Sequence, residues 1–111
     1  ATLLSLFDFG DATTSGENRE QTNVAPQALY MMNSKFVAER SQSLASLLLK
    51  DGTEDTARIR RAWRMVLGRD PDDGEAAASA EFVAKFPGAR AMAWSSLCRA
   101  IIASNEFIYI P

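Results

Sequence analysis

The residue types that most often carry out catalysis are nearly missing from this chain of 111 residues. It contains no histidine and a single cysteine, Cys98. A Ser-His-Asp or Cys-His set would therefore have no general base, and zinc would lack its usual cysteine and histidine ligands. Cys98 falls on the same apolar helical stripe as Trp94, so we expect an inert, buried thiol. The composition predicts that the chain is not an enzyme by itself and that it holds no cofactor.

A cluster of acidic residues between two predicted helices resembles a calcium-binding loop only loosely. Its members are Asp70, Asp72, Asp73 and Glu75. An EF-hand needs an acidic residue at position 5 of its loop and a glycine at position 6. Counting from Asp70, the chain has Gly74 and Glu75 at those positions, in the opposite order. Acidic residues at the start of a helix interact favourably with its dipole, so we predict a helix N-terminus here and no metal site.

A cluster of arginines lies in one predicted helix and could contact an anion or a nucleic acid. The four residues are Arg58, Arg60, Arg61 and Arg64. However, the net charge of the chain is −2, and Glu54 precedes Arg58 by four residues, which is the favourable order for a helical ion pair. We therefore predict a solvated helix face with local ion pairs and no nucleic-acid partner. Binding of an anion or a nucleic acid by this helix is kept as a third alternative.

Residues 1–23 are predicted to form an irregular arm. Residues 1–9 are apolar and fit either a helical turn or a strand, whereas residues 10–23 are polar, contain two glycines and fit a loop. A loop of this length inside a small domain is usually either functional or disordered. The candidate interaction residues of the arm are Phe7, Asp8, Phe9, Asp11 and Arg19.

From residue 24 onward, apolar residues recur with helical spacing. After a first short helix that begins near Pro26 and is interrupted at Asn33, the pattern predicts the four main helices over residues 35–50, 54–67, 71–86 and 90–104. The residues suited to cap or end these helices are Ser34, Thr53 and Asp70 at their starts and Gly52 and Gly68 at their ends. The predicted core stripes comprise Phe36, Val37, Leu44, Leu47, Leu48, Ile59, Ala62, Trp63, Val66, Leu67, Ala78, Phe82, Phe86, Trp94, Leu97, Cys98, Ile101 and Ile102.

These elements predict a single all-α domain. It is a small bundle of four main helices, with the irregular arm before it and an apolar tail after it. Residues 105–111 are too apolar for a free end, so we expect them to dock on the core or on a missing segment, and Phe107 and Tyr109 are candidate interaction residues there. The chain is expected to be a fragment of a larger protein. No apolar run approaches the ~20 residues of a membrane-spanning helix.

Four segments of the chain, in the same order, are similar to a known family. They are Leu6–Asp11, Thr22–Val37, Arg58–Glu75 and Trp94–Tyr109. Together they resemble the C-terminal end of the PSD1 (DUF1553) family, which comprises large proteins of planctomycetes and related bacteria. The resemblance implies an exported or periplasmic multidomain parent that often carries a DUF1549 domain and in many cases a cytochrome-c-like domain. The haem-binding Cys-x-x-Cys-His of that domain does not occur in this chain.

The family brings no established activity, so two functions of different classes are open. The leading hypothesis is a non-catalytic helical module that serves intramolecular packing or protein interaction, with the upstream domains of the parent or another copy of the chain as its partner. The alternative is that the arm over Phe7–Arg19 lines an enzyme cleft, completed by upstream segments and related to polysaccharides.

Overall fold

The computed structural model describes residues 30, 33–50 and 52–108, with side chains up to residue 104. This part of the chain forms four helices: α1 (Lys35–Lys50), α2 (Asp55–Leu67), α3 (Asp73–Lys85) and α4 (Arg90–Ile108). It contains no strand, and the prediction of an all-α bundle with four main helices is confirmed. None of the helices that the structure describes has the length and apolarity needed to cross a bilayer.

The helix ends agree closely with the sequence pattern, although several details differ. As predicted, Ser34 caps α1, because its Oγ accepts a hydrogen bond from the Val37 N–H at 3.4 Å. The N-cap of α2 is Glu54, where Thr53 was predicted, and the side chain of Glu54 forms no capping hydrogen bond. The last helix continues four residues beyond its predicted end at residue 104, so residues 105–108 are helical where an apolar tail was expected.

One glycine ends α2 in the manner predicted. Gly68 has a φ of 75°, in the left-handed region, and its N–H donates to the carbonyl oxygen of Arg64. This conformation favours glycine over residues with a side chain. Gly52 was predicted to play the same role after α1; Asp51, which links it to that helix, lies outside the described residues, so this stays a prediction.

A capping box begins α3 and corrects the prediction that Asp70 caps this helix. Asp72 Oδ1 accepts a hydrogen bond from the Glu75 N–H at 2.8 Å, and Glu75 Oε1 accepts one from the Asp72 N–H at 2.9 Å. This reciprocal arrangement needs a glutamate or glutamine three residues after the cap. Asp72 has Glu75 at that distance, whereas Asp70 has Asp73.

The core is organised around α4, which contacts each of the other three helices and lies most extensively against α1. The buried residues of α4 are Ala93, Trp94, Leu97, Cys98, Ala100, Ile101, Ala103 and Ser104. At 3.6 residues per turn these positions cover an arc of about 220° around the helix. A helix that is apolar over so much of its circumference must be covered from several sides.

The second large core side chain is Trp63, which is 0% exposed. Its Nε1 donates a hydrogen bond to Ser79 Oγ on α3 at 3.1 Å, and Ser79 Oγ donates to the carbonyl oxygen of Glu75 at 2.8 Å. The predicted burial of Trp63 is therefore confirmed. The sequence pattern placed Ala78 and Phe82 on the stripe of α3, where they are half-buried, but did not indicate Ser79, which is fully buried.

The predicted core stripe of α1 is wrong at two positions. Phe36 and Leu47 are 65% and 40% exposed. The buried residues of α1 are Val37, Ser41, Ala45 and Leu48. Since α1 packs mainly on α4, small residues such as Ser41 and Ala45 on the contact side let the two helices approach closely, and the larger Phe36 and Leu47 point away from it.

Replacing Ser79 with alanine tests the polar link in the core. Ser79→Ala should lower the free energy of unfolding by about 1–3 kcal/mol, because the buried indole N–H of Trp63 loses its acceptor. Urea denaturation monitored by circular dichroism measures this change. Ser43→Ala, at an exposed position of α1, should change the stability by less than about 0.5 kcal/mol. In a Trp63→Phe background Ser79→Ala should cost less, and an equal cost in both backgrounds would contradict this assignment.

Candidate interaction surface

An open groove lies between α1 and α4. It has a volume of about 250 Å³, and its α4 residues lie mostly outside the buried arc of that helix. We call it the α1–α4 groove. It is lined by Gln42, Ala45, Ser46, Leu49, Ala91, Met92, Ser95, Ser96 and Arg99. The lining thus combines apolar side chains with hydroxyl and amide groups and a single charge.

Arg99 supplies the charge of the α1–α4 groove. The residue is half-buried, and its Nε is fully buried without a hydrogen-bond acceptor among the described residues. An arginine does not lose its proton in proteins, so this N–H cannot escape the penalty by changing its protonation state. An unsatisfied buried donor costs about 1–3 kcal/mol. The groove therefore contains a positive group for which the described part of the chain provides no partner.

A second polar cluster joins the starts of α2 and α4 to the end of α1. Arg58 Nε donates to the carbonyl oxygen of Leu48 at 2.9 Å, and Arg58 Nη1 donates to Asp55 Oδ1 at 2.8 Å. Asp55 also forms an ion pair with Arg90. The hydrogen bond from Arg90, with a further one from Arg58, lowers the pKa of Asp55. This cluster holds three helices together at one end of the bundle.

Arg58 corrects the prediction of a solvated arginine face at one of its four positions. The residue is only 9% exposed, and it forms an ion pair with Asp55, three residues before it; the pair with Glu54 that the pattern indicated stays a prediction. The reason is that a carbonyl oxygen of α1, that of Leu48, accepts a hydrogen bond from Arg58. Local contacts along α2 do not reveal this partner, which lies ten residues earlier in the chain.

Removing Arg58 tests its structural role. Arg58→Met should destabilise the chain by about 2–3 kcal/mol, because a hydrogen-bonded buried charge is lost and the carbonyl group of Leu48 is left without this donor. Arg60→Met is the matched control, since Arg60 is exposed on the same helix, and it should cost less than about 0.5 kcal/mol. Chemical denaturation of both variants gives the comparison. Equal effects would mean that Arg58 belongs to a solvated face after all.

Local ion pairs are also present at the end of α2, as expected. Arg64 pairs with Asp70, and Arg69 forms two hydrogen bonds to the carboxylate of Glu75, at 2.8 and 2.9 Å. The hydrogen bond from Arg69 lowers the pKa of Glu75. The guanidinium carbon of Arg69 also lies 5.3 Å from the ring centroid of Trp63. These contacts tie the turn before α3 to the core.

The single thiol is buried, as predicted. Cys98 is 0% exposed, and burial raises the pKa of its thiol to about 12. Because the thiolate is the reactive form, Cys98 is a poor nucleophile and a poor metal ligand at neutral pH. Among the described residues, no three histidine, cysteine, aspartate or glutamate side chains lie close enough to hold a metal ion.

Large apolar side chains are exposed on the outer face of α1. Phe36 and Leu47 lie eleven residues apart, about 16 Å along the helix and on the same side of it. Arg40 stands between them, and its guanidinium carbon lies 5.3 Å from the ring centroid of Phe36. We call Phe36, Arg40 and Leu47 the outer stripe of α1. On α4, Met92 at the α1–α4 groove is 60% exposed.

Most residues predicted for interaction lie outside the described part of the chain. They are Phe7, Asp8, Phe9, Asp11, Arg19 and Tyr109. Phe107 lies in α4, but its side chain is not described. The predictions for the arm and the tail therefore stay predictions. The sequence pattern missed Arg99, although one signal pointed to it: residues 91–105 contain no other charged residue.

The fold and the surface define a small all-α bundle without an evident catalytic constellation in the described residues. The chain belongs to the family PSD1, described as "Protein of unknown function (DUF1553)", whose model matches residues 1–83. The matched range ends within α3, and α4 follows it. Comparisons with curated proteins and with solved structures gave no match. The placement of the chain at the C-terminal end of the family's proteins and the accompanying domains stay predictions.

Proposed function

We propose that this chain is a non-catalytic helical module of a large exported bacterial protein. Its role is to pack against the upstream domains of that parent or to bind another copy of itself. The observation that carries the proposal is the outer stripe of α1, where Phe36 and Leu47 remain 65% and 40% exposed although the helix has a well-packed inner face. Apolar side chains that share one face of a helix are a common means of protein association.

The chemistry of the described residues supports the same proposal. The thiol of Cys98 is buried, and its pKa of about 12 keeps it protonated. Asp55 and Glu75, whose pKa values are lowered, are engaged with arginines that fix the positions of helices. A general acid or base at neutral pH needs a pKa near that pH. The pKa values of Asp55 and Glu75 are shifted downwards, away from neutral pH. Both carboxylates therefore stay ionised and serve as structural ion-pair partners.

Two sedimentation velocity experiments test the proposal. The first follows the chain alone at rising concentration, and the second follows the chain mixed with the remaining part of its parent polypeptide. We expect association in at least one of these two experiments. Phe36→Ser combined with Leu47→Ser should weaken it by about 10- to 100-fold, because two large apolar side chains lose their burial in the complex.

Met65→Ser is the matched control, because Met65 is 50% exposed on α2 and away from the outer stripe. It should leave the association unchanged. Circular dichroism melts of all variants separate a loss of binding from a loss of folding. Purely monomeric behaviour of the folded chain in both experiments would overturn the proposal. If Met65→Ser weakened the association as much as the double variant does, the outer stripe would not be the contact surface.

A further inference from the structure

The α1–α4 groove contains a charged hydrogen-bond donor for which the described residues provide no acceptor. Arg99 places a permanent positive charge beside apolar side chains, and its Nε is fully buried without an acceptor. Several other arginines of the chain behave differently, since Arg58, Arg64 and Arg69 each pair with a carboxylate. Arg99 differs from these three residues because its buried Nε–H has no acceptor among the described residues.

The groove itself contains no compensating charge. None of its lining residues is an aspartate or a glutamate. Gln42, Ser46 and Ser95 offer hydroxyl and amide groups near it, yet none of them accepts a hydrogen bond from Arg99 Nε. A carboxylate is the group that suits this position best, because its two oxygens match the planar N–H groups of a guanidinium.

The size and the lining of the groove distinguish among carboxylate ligands. Its volume of about 250 Å³ is below the roughly 300–1,000 Å³ of sites for cofactors and drug-sized molecules. Ala45, Leu49 and Met92 provide apolar contacts around the charged group. This combination suits one acidic side chain flanked by apolar residues, as on the surface of a folded protein or in a short peptide segment.

We propose that the α1–α4 groove binds an acidic side chain of a partner polypeptide, whose carboxylate accepts hydrogen bonds from Arg99 and whose apolar neighbours contact Leu49 and Met92. This inference rests on the proposed interaction role. It specifies the chemical groups, a carboxylate with apolar neighbours, that the partner presents to a second surface of α1. The unpaired charge sets the specificity, because a partner with an amide in place of the carboxylate leaves Arg99 uncompensated.

Nuclear magnetic resonance of the 111-residue chain tests this inference. The probes are the blocked peptides acetyl-Leu-Phe-Glu-Phe-amide and acetyl-Leu-Phe-Gln-Phe-amide, which differ only in charge, and inorganic phosphate. The Nε–H signal of Arg99 should shift with the glutamate peptide and much less with the glutamine peptide. Arg99→Met should weaken binding of the glutamate peptide by about 10- to 100-fold. Arg60→Met, on an exposed position of α2, should leave it unchanged.

The stability of the free chain gives a second readout. Because Arg99 Nε has no acceptor among the described residues, Arg99→Met should leave the thermal midpoint unchanged or raise it, whereas a structural arginine would lower it. Equal shifts with both peptides, a response to phosphate alone, or a lowered midpoint in Arg99→Met would each overturn the inference. Failure of the glutamate peptide to bind, with association through the outer stripe of α1 preserved, would overturn it while leaving the proposed function intact.

Discussion

The burial of α4 is the constraint on which the rest of the structure depends. Its apolar residues cover an arc of about 220° around the helix axis, and Trp94, Leu97 and Ile101 are 0% exposed. A single neighbouring helix cannot exclude water from so wide a surface, so α1, α2 and α3 must all pack against α4. What remains uncovered is the side of α4 that contributes Met92, Ser95 and Arg99 to the α1–α4 groove. The groove therefore follows from the packing of the other three helices, which leaves this side of α4 uncovered.

Apolar burial alone would not determine the relative positions and rotations of the helices. A few hydrogen bonds and ion pairs between helices determine them. The side chain of Arg58 reaches the last turns of α1 through the carbonyl group of Leu48, and Asp55 links the starts of α2 and α4 through Arg90. On the other side of α2, the indole of Trp63 can only be satisfied by a particular rotation of α3, which places Ser79 opposite it. These contacts restrict the bundle to one arrangement, because buried polar groups tolerate few alternatives.

The helical spacing was sufficient to predict the fold class, the four helices and the burial of Trp63, Trp94 and Cys98. These features depend on local periodicity, which a single sequence contains. The errors in burial occurred where a distant partner decides the outcome. Phe36 is exposed because only one side of α1 meets α4, and Arg58 is buried because an acceptor on α1 lies above it. Ser79 and Arg99 carry no periodic signal, so their roles appear only when the helices are assembled. The interaction residues predicted in the arm and the tail lie outside the described side chains.

Hydrogen exchange of backbone amides tests most directly whether α4 is the organising element of this domain. If the other helices fold around α4, the amides from Trp94 to Ile101 should exchange only through global unfolding and should show the slowest exchange in the chain. Amides of α3, which has a single fully buried residue, Ser79, should exchange faster. Exchange in α4 that is as fast as in α3, or faster, would contradict this account of the fold and of the groove that depends on it.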